Sequence, residues 1–233
     1  MKRILLTISM VALLSMGAAA QSGKSTNLGL KFGPSFNWVG SADKSVAQNN
    51  GAPIGMTVGG FIDHRINEHL AFSYGLNFNI TPLKYQFTDY RMLEANLVST
   101  NVPNVNRRFR GTYLEVPLQL KIRAQFMDSW TAFATGGVGL GIRLSAMGKD
   151  TYEAYGVEYK DTEYVDHKDD YRLFQPALKF GLGAEYELNS NMSAFAQLTF
   201  HHALMNTFKK SFAEQTGSNL LINSLGIEVG LLF

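Results

Sequence analysis

The chain has 233 residues with 21 basic and 19 acidic side chains, no cysteine, and a charged content of 17%. Soluble domains usually carry roughly 25% charged residues, so much of this exterior is not expected to face water. The lack of cysteine excludes disulfides, thiolate zinc sites and thiol nucleophiles. Near-zero net charge removes the bulk electrostatic case for a nucleic-acid partner.

Residues 1–20 read MKRILLTISMVALLSMGAAA. Lys2 and Arg3 precede an apolar stretch from Ile4 to Leu14 and a small-residue end, the pattern of a cleaved secretory signal. Cleavage between Ala20 and Gln21 is expected, leaving one domain over 21–233. Downstream there is no run of ~18 apolar residues that would make a membrane helix.

From there on, apolar residues recur at every second position, the period of a β-strand. The alternation appears near 27–38, 54–63, 70–80, 114–122, 130–142, 174–188, 192–204 and 221–233. One segment places Leu114, Val116, Leu118, Leu120 and Ile122 on one face, with Glu115, Pro117, Gln119 and Lys121 between them. Residues 64–69, 124–129 and 189–191 read as short turns. Residues 39–53, 81–111, 145–173 and 205–219 read as long polar loops. Eight strands with short turns at one end and long loops at the other predict an all-β, eight-stranded antiparallel transmembrane up-and-down barrel, with periplasmic turns and extracellular loops.

Volume decides which face points out. The interior of an eight-stranded barrel is just wide enough to be filled by side chains. Some forty Leu, Phe, Tyr, Ile and Val side chains do not fit there, whereas the opposite face, rich in glycine, does. The apolar face is therefore expected to face lipid. Trp130, Phe72, Tyr186 and Phe233 fall at the predicted periplasmic ends, and Trp38, Phe78, Phe174 and Phe200 near the outer ends, as two aromatic girdles. Pro34, Pro117 and Pro176 lack an N–H, so bulges or broken ladder bonds are expected at each.

Tyr113-Leu114-Glu115-Val116-Pro117-Leu118-Gln119-Leu120-Lys121 resembles the Y-L-E-I-P-L-x-x-K strand of the small outer-membrane barrel family labelled porin family or PorT-like. Gly136 to Gly141 resembles its G-x-G-x-G strand, and Phe180 to Tyr186 its G-x-G-x-E-Y strand. The likeness covers nearly the whole mature chain. It implies a bacterial outer-membrane location, and it permits an accessory role in secretion. Most members of the family have no assigned activity, and the label alone does not imply a pore. Phe233 on an amphipathic last strand resembles the signal read by the barrel-assembly machinery.

The polar face holds five cations (Lys31, Lys121, Arg123, Arg143, Lys179) and five carboxylates (Asp63, Glu115, Glu185, Glu187, Glu228). Isolated charges in a narrow lumen are costly, so Glu115, Glu185 and Glu228 are expected to pair with Lys31, Lys121 and Lys179 as a plug. The loop over 149–172 is acidic and that over 84–110 is basic, so the two can pair with each other, bind a ligand, or bind divalent ions that bridge lipopolysaccharide. His201 or His202 with Asp166 is a remote candidate for a rim catalytic site, but no catalytic or metal motif supports it. The expectation is a monomeric, non-enzymatic envelope protein without cofactor. Its partners are outer-membrane lipid, the assembly machinery and whatever the extracellular loops contact, with no nucleic acid. A passive small-solute porin is the alternative, and a rim enzyme a distant one.

Overall fold

A computed structural model describes residues 26–40, 47–88, 104–154, 157–216 and 219–233. The expected cleavage site at Ala20 and Gln21 lies outside them. The elements in chain order are β1 (Thr26–Gly40), β2 (Ala47–Asn49), β3 (Ile54–Arg65), β4 (Leu70–Thr88), β5 (Asn104–Met127), β6 (Trp130–Ala154), β7 (Val157–Lys160), β8 (Val165–Asp166), β9 (Phe174–Asn189), β10 (Met192–Ala203), α1 (Lys210–Thr216) and β11 (Leu221–Leu232). The eight long strands pair antiparallel in the order β1-β3-β4-β5-β6-β9-β10-β11. Pairing of Gly29 with Leu232 returns β11 to β1 and closes the ring. Closure gives every strand two neighbours, which satisfies the backbone where no water is present. Short β2 adds to β4, and β7 and β8 add to β6.

Parity along each strand decides the environment. On β5, Glu115 is 2% exposed and Lys121 3%, while their outward neighbours Leu120 and Ile122 are 51% and 61% exposed. Leu30, Phe32, Leu182, Leu198 and Ile227 stand outward in the same way on other strands. The apolar stretch Leu114–Ile122 spans about 20 Å along the axis at the usual strand rise and a ~40° tilt, most of the ~25 Å lipid-facing band of such barrels. Trp130 packs 4.9 Å from Tyr186 at the turn end, and Trp38 6.2 Å from Phe200 near the other end.

Because β5 has 24 residues, more than half of it lies beyond that band. This corrects the expectation that 81–111 and 145–173 are loops throughout. The β-structure of β4 continues to Thr88, β5 begins at Asn104, and β6 continues to Ala154. The hydrophobic phase inverts at the membrane surface. On β4 the inward face runs from Ser73 and Asn77 to Leu83, Tyr85 and Phe87, all buried. Its outward face changes from Phe72, Tyr74, Leu76 and Phe78 to Lys84 and Gln86. Below the surface lipid lies outside the barrel; above it water does, and the apolar side chains turn in. The segment 205–219, also expected to be a polar loop, contains α1 and buries Phe208 and Phe212. A register shift between Thr112 and Tyr113 gives β6 one extra residue, Leu144, whose side chain is exposed.

The prolines sit at interruptions of the ladder. The β1–β11 register breaks between Phe32 and Ser35, around Pro34. The β4–β5 register breaks between Leu118 and Glu115, around Pro117. Pro176 lies just past the end of the β9–β10 pairing at Ala177, where its carbonyl accepts from Leu204 N–H. The lumen glycines do more than save volume. A β-carbon at Gly137 would lie 2.1 Å from the Leu118 carbonyl oxygen, and one at Gly230 2.0 Å from that of Leu30. These strands coil too tightly to admit a side chain there.

Candidate functional site

Inward side chains fill the barrel in layers. At the turn end, Phe61, Phe133, Phe195 and Leu232 form a small apolar cluster. Beside it, Lys121 Nζ lies 2.5 Å from Asp63 Oδ2 and 2.5 Å from Glu185 Oε1, and 4.5 Å from the centroid of the Phe133 ring. Arg123 also reaches Glu185, at 2.6 Å. Higher up, Lys31 Nζ donates to Glu228 Oε2 at 3.0 Å, which Gln197 Nε2 also reaches at 2.6 Å. Lys179 Nζ donates to Glu115 Oε1 at 2.5 Å, and Asn77 Nδ2 donates to the same oxygen at 2.8 Å.

The structure thus brings together all six residues singled out in the lumen: Lys31 with Glu228, Lys179 with Glu115, and Lys121 with Glu185. Sequence reasoning missed that His201 joins them, its Nε2 3.4 Å from Glu115 Oε2. Strand parity carried that signal, since His201 shares a face with Gln197 and Thr199. Arg143 does not enter the ion pairs; it donates to the carbonyls of Arg172 and Lys168 and holds the 168–172 segment over the barrel. Between the layers lie cavities of about 40 Å³, lined by Ser35, Thr57, His201 and Ser224 among others, and about 20 Å³. At ~10–15 Å³ of such volume per water, the first has room for about three waters and the second for about one.

Above the lumen, the inverted parts of β4, β5 and β6 close over an aromatic cap with residues 170–172 and 205–214. Phe87, Phe109, Tyr171, Phe208 and Phe212 pack ring against ring, with centroids 4.4 to 6.5 Å apart. Arg107 sits within it, its side chain 1% exposed. Its guanidinium takes both carboxylate oxygens of Asp150 at 2.7 Å, Asp170 at 2.9 Å and the Tyr171 hydroxyl at 3.3 Å. It also stacks 5.0 Å from the Phe87 centroid. A planar fork is suited to that arrangement, and the four neighbours offset the cost of burying a cation. The hydroxyls of Tyr85 and Tyr171 hydrogen-bond to each other. Burial holds both tyrosines above their ordinary pKa of about 10, Tyr85 well above it. The basic and acidic loop segments therefore meet through Arg107, which sequence reasoning counted only as loop charge.

The rim histidines and Asp166 are not brought together. His201 faces Glu115, His202 Nδ1 lies 2.6 Å from Asn223 Oδ1, and Asp166 pairs with Lys168 at 2.8 Å. Among the described residues, no group of three or more His, Cys, Asp or Glu could hold a metal ion. Phe233 extends the β1–β11 ladder, its N–H donating to Leu28 at 2.7 Å, with its ring exposed on the outer face.

No curated protein matches the chain in sequence. Among solved structures it is similar to Ail, the attachment invasion locus protein of Yersinia pestis, at 10% identity and a TM-score of 0.38, covering 90% of this chain and 99% of that one. It is also similar to Neisserial surface protein A, at 9% identity and a TM-score of 0.42 over 88% and 97% of the two chains. OprG from Pseudomonas aeruginosa gives 13% identity and a TM-score of 0.39 over 91% and 97%. The family model for the outer membrane protein beta-barrel domain matches residues 19–209, which take in every strand of the ring except β11. With the closed eight-stranded ring and its lipid-facing exterior, that match shows that the chain belongs to the outer membrane protein beta-barrel domain family and resides in the bacterial outer membrane.

Proposed function

We propose that this protein is a non-enzymatic, monomeric barrel that is closed to solutes and serves the envelope through its structured extracellular cap. The observation that carries this reading is the filled lumen, where every layer from Phe61 to Glu115 is occupied by packed rings or ion pairs. A hydrated solute would have to part Lys179 from Glu115 and Lys31 from Glu228 together, and then displace the aromatic cap. The cap supports the second half of the proposal. It is held in one arrangement by Arg107, so any partner meets a pre-formed surface and little ordering entropy is lost on contact. Phe233 at the end of β11 serves as the recognition point for the assembly machinery in this reading.

Planar-bilayer recording of the purified protein tests the closed barrel. The expected outcome is no steady single-channel openings across the physiological voltage range. Stable, uniform conductance steps from the purified barrel would overturn the reading in favour of a small-solute porin.

A further inference from the structure

Above the apolar band, the outward face of β4, β5 and β6 carries a row of cations. Lys84 lies directly opposite Arg108, and Arg108 directly opposite Lys149. Arg110 stands on the same face, two residues closer to the membrane. Like charges directly opposite each other destabilise a sheet. Three other exposed lysines of the cap have carboxylate partners: Lys168 with Asp166, Lys209 with Asp169 and Lys210 with Glu214. The row has no ion-pair partner among the described residues, although the 149–172 segment is rich in Asp and Glu. Two of these cations, Arg110 and Lys149, lie instead on an aromatic ring. Arg110 and Lys149 each lie 5.0 Å from the Tyr164 centroid, and Lys149 Nζ donates to the Thr162 carbonyl at 2.5 Å.

The row continues the lipid-facing surface. Directly beneath it the same three strands present Phe78, Leu114 and Ile142 side by side, the top of the apolar band. Arg110 is four residues above Leu114, about 10 Å in height, and the Lys84-Arg108-Lys149 row is about 15 Å above it. The headgroup zone of a bilayer is only ~5–8 Å deep on each side. A glycerophospholipid phosphate therefore lies below the row, and a taller phosphorylated headgroup reaches it.

We infer that this row binds the phosphate groups of a phosphorylated saccharide headgroup on an anionic glycolipid of the outer leaflet, whose acyl chains lie on Phe78, Leu114 and Ile142. A soluble phosphate ester would use the charges and leave the apolar column below them unused. The bound phosphates relieve the repulsion between Lys84, Arg108 and Lys149. The inference rests on the outer-membrane placement and not on the barrel being closed, so a conducting barrel leaves it standing.

The test is native mass spectrometry of the barrel released from phosphatidylcholine nanodiscs that contain equal amounts of a lipopolysaccharide phosphorylated on its inner-core sugars and the same lipopolysaccharide with those sugars dephosphorylated. The wild type is expected to retain the phosphorylated form with a preference on the order of a hundredfold, the scale set by three basic residues at an anionic surface. The triple variant Lys84→Gln, Arg108→Gln, Lys149→Gln should lose that preference while keeping heat-modifiable gel mobility, since it relieves the repulsion along the row and gives up only the local contacts of Lys149 with Thr162 and Tyr164. Should the triple variant misfold, Arg108→Gln alone should show a partial loss. The variant Lys168→Gln, Lys209→Gln, Lys210→Gln removes the same charge elsewhere on the cap and should behave as wild type. An unchanged preference in the row variants, or none in the wild type, overturns the inference. So does displacement of the lipid by inorganic phosphate, which would mark a soluble-anion site.

Discussion

Glu115 has the most demanding environment of any lumen carboxylate. It accepts from Lys179 and Asn77 and faces His201, and it is 2% exposed. Removing one partner of such a pair strands the other charge, which typically costs about 3–5 kcal/mol, whereas replacing both with apolar groups can be nearly neutral. Glu115→Gln is therefore expected to destabilise the folded barrel by that amount, and adding Lys179→Met should recover much of the loss. Urea unfolding in lipid vesicles, run as a double-mutant cycle, measures the coupling; additive losses would show that the pair does not act as a unit. The sequence made this pairing legible through parity and charge sign alone. It left open which carboxylate meets which lysine, because strand stagger sets those heights. Lys121 illustrates the point: it sits between Glu185 and Asp63 rather than on one partner.

At the scale of elements, alternation revealed the membrane strands and the same alternation concealed the cap. Leu83, Tyr85 and Phe87 keep the period of β4 without a break, but Lys84 and Gln86 between them make the segment read as a polar loop. The phase inversion was the missed signal, and it is a physical one, marking where the outer solvent changes from lipid to water. Arg107 was beyond reach of sequence reasoning, since nothing local says that a cation at an inward position will meet carboxylates at Asp150 and Asp170 from other strands and loops. The cap has its own pH dependence. Burial raises the pKa of Tyr85 and Tyr171, so the closed cap favours their protonated forms. That contribution is fully present below about pH 10, the ordinary tyrosine value, and is lost as pH rises through the raised values. Spectrophotometric titration is expected to show a subset of the ten tyrosines ionising late. Proteinase K cleavage within 157–169 should appear in step with that late phase. Uniform titration near pH 10 with an intact cap would contradict this account of the cap.

At the scale of the whole molecule, one polarity rule organises the chain. Inside the lipid band the bulk faces out, and glycine and paired ions face in; beyond the band the rule reverses and an aromatic core closes the top. Volume alone foretold the first half, because eight strands leave no room for the apolar face inside. The most direct test is a spin-label scan of β5 in lipid vesicles, one label at a time from Thr112 to Ile122, reading collision with oxygen against a water-soluble nickel chelate. Labels at Leu114, Val116, Leu118, Leu120 and Ile122 are predicted to collide with oxygen and to exclude the chelate, while those at Gln119 and Lys121 meet little of either. Oxygen contact at the odd-numbered positions, with Leu118 and Leu120 shielded, would contradict the orientation on which the closed lumen, the cap and the phosphate row all depend.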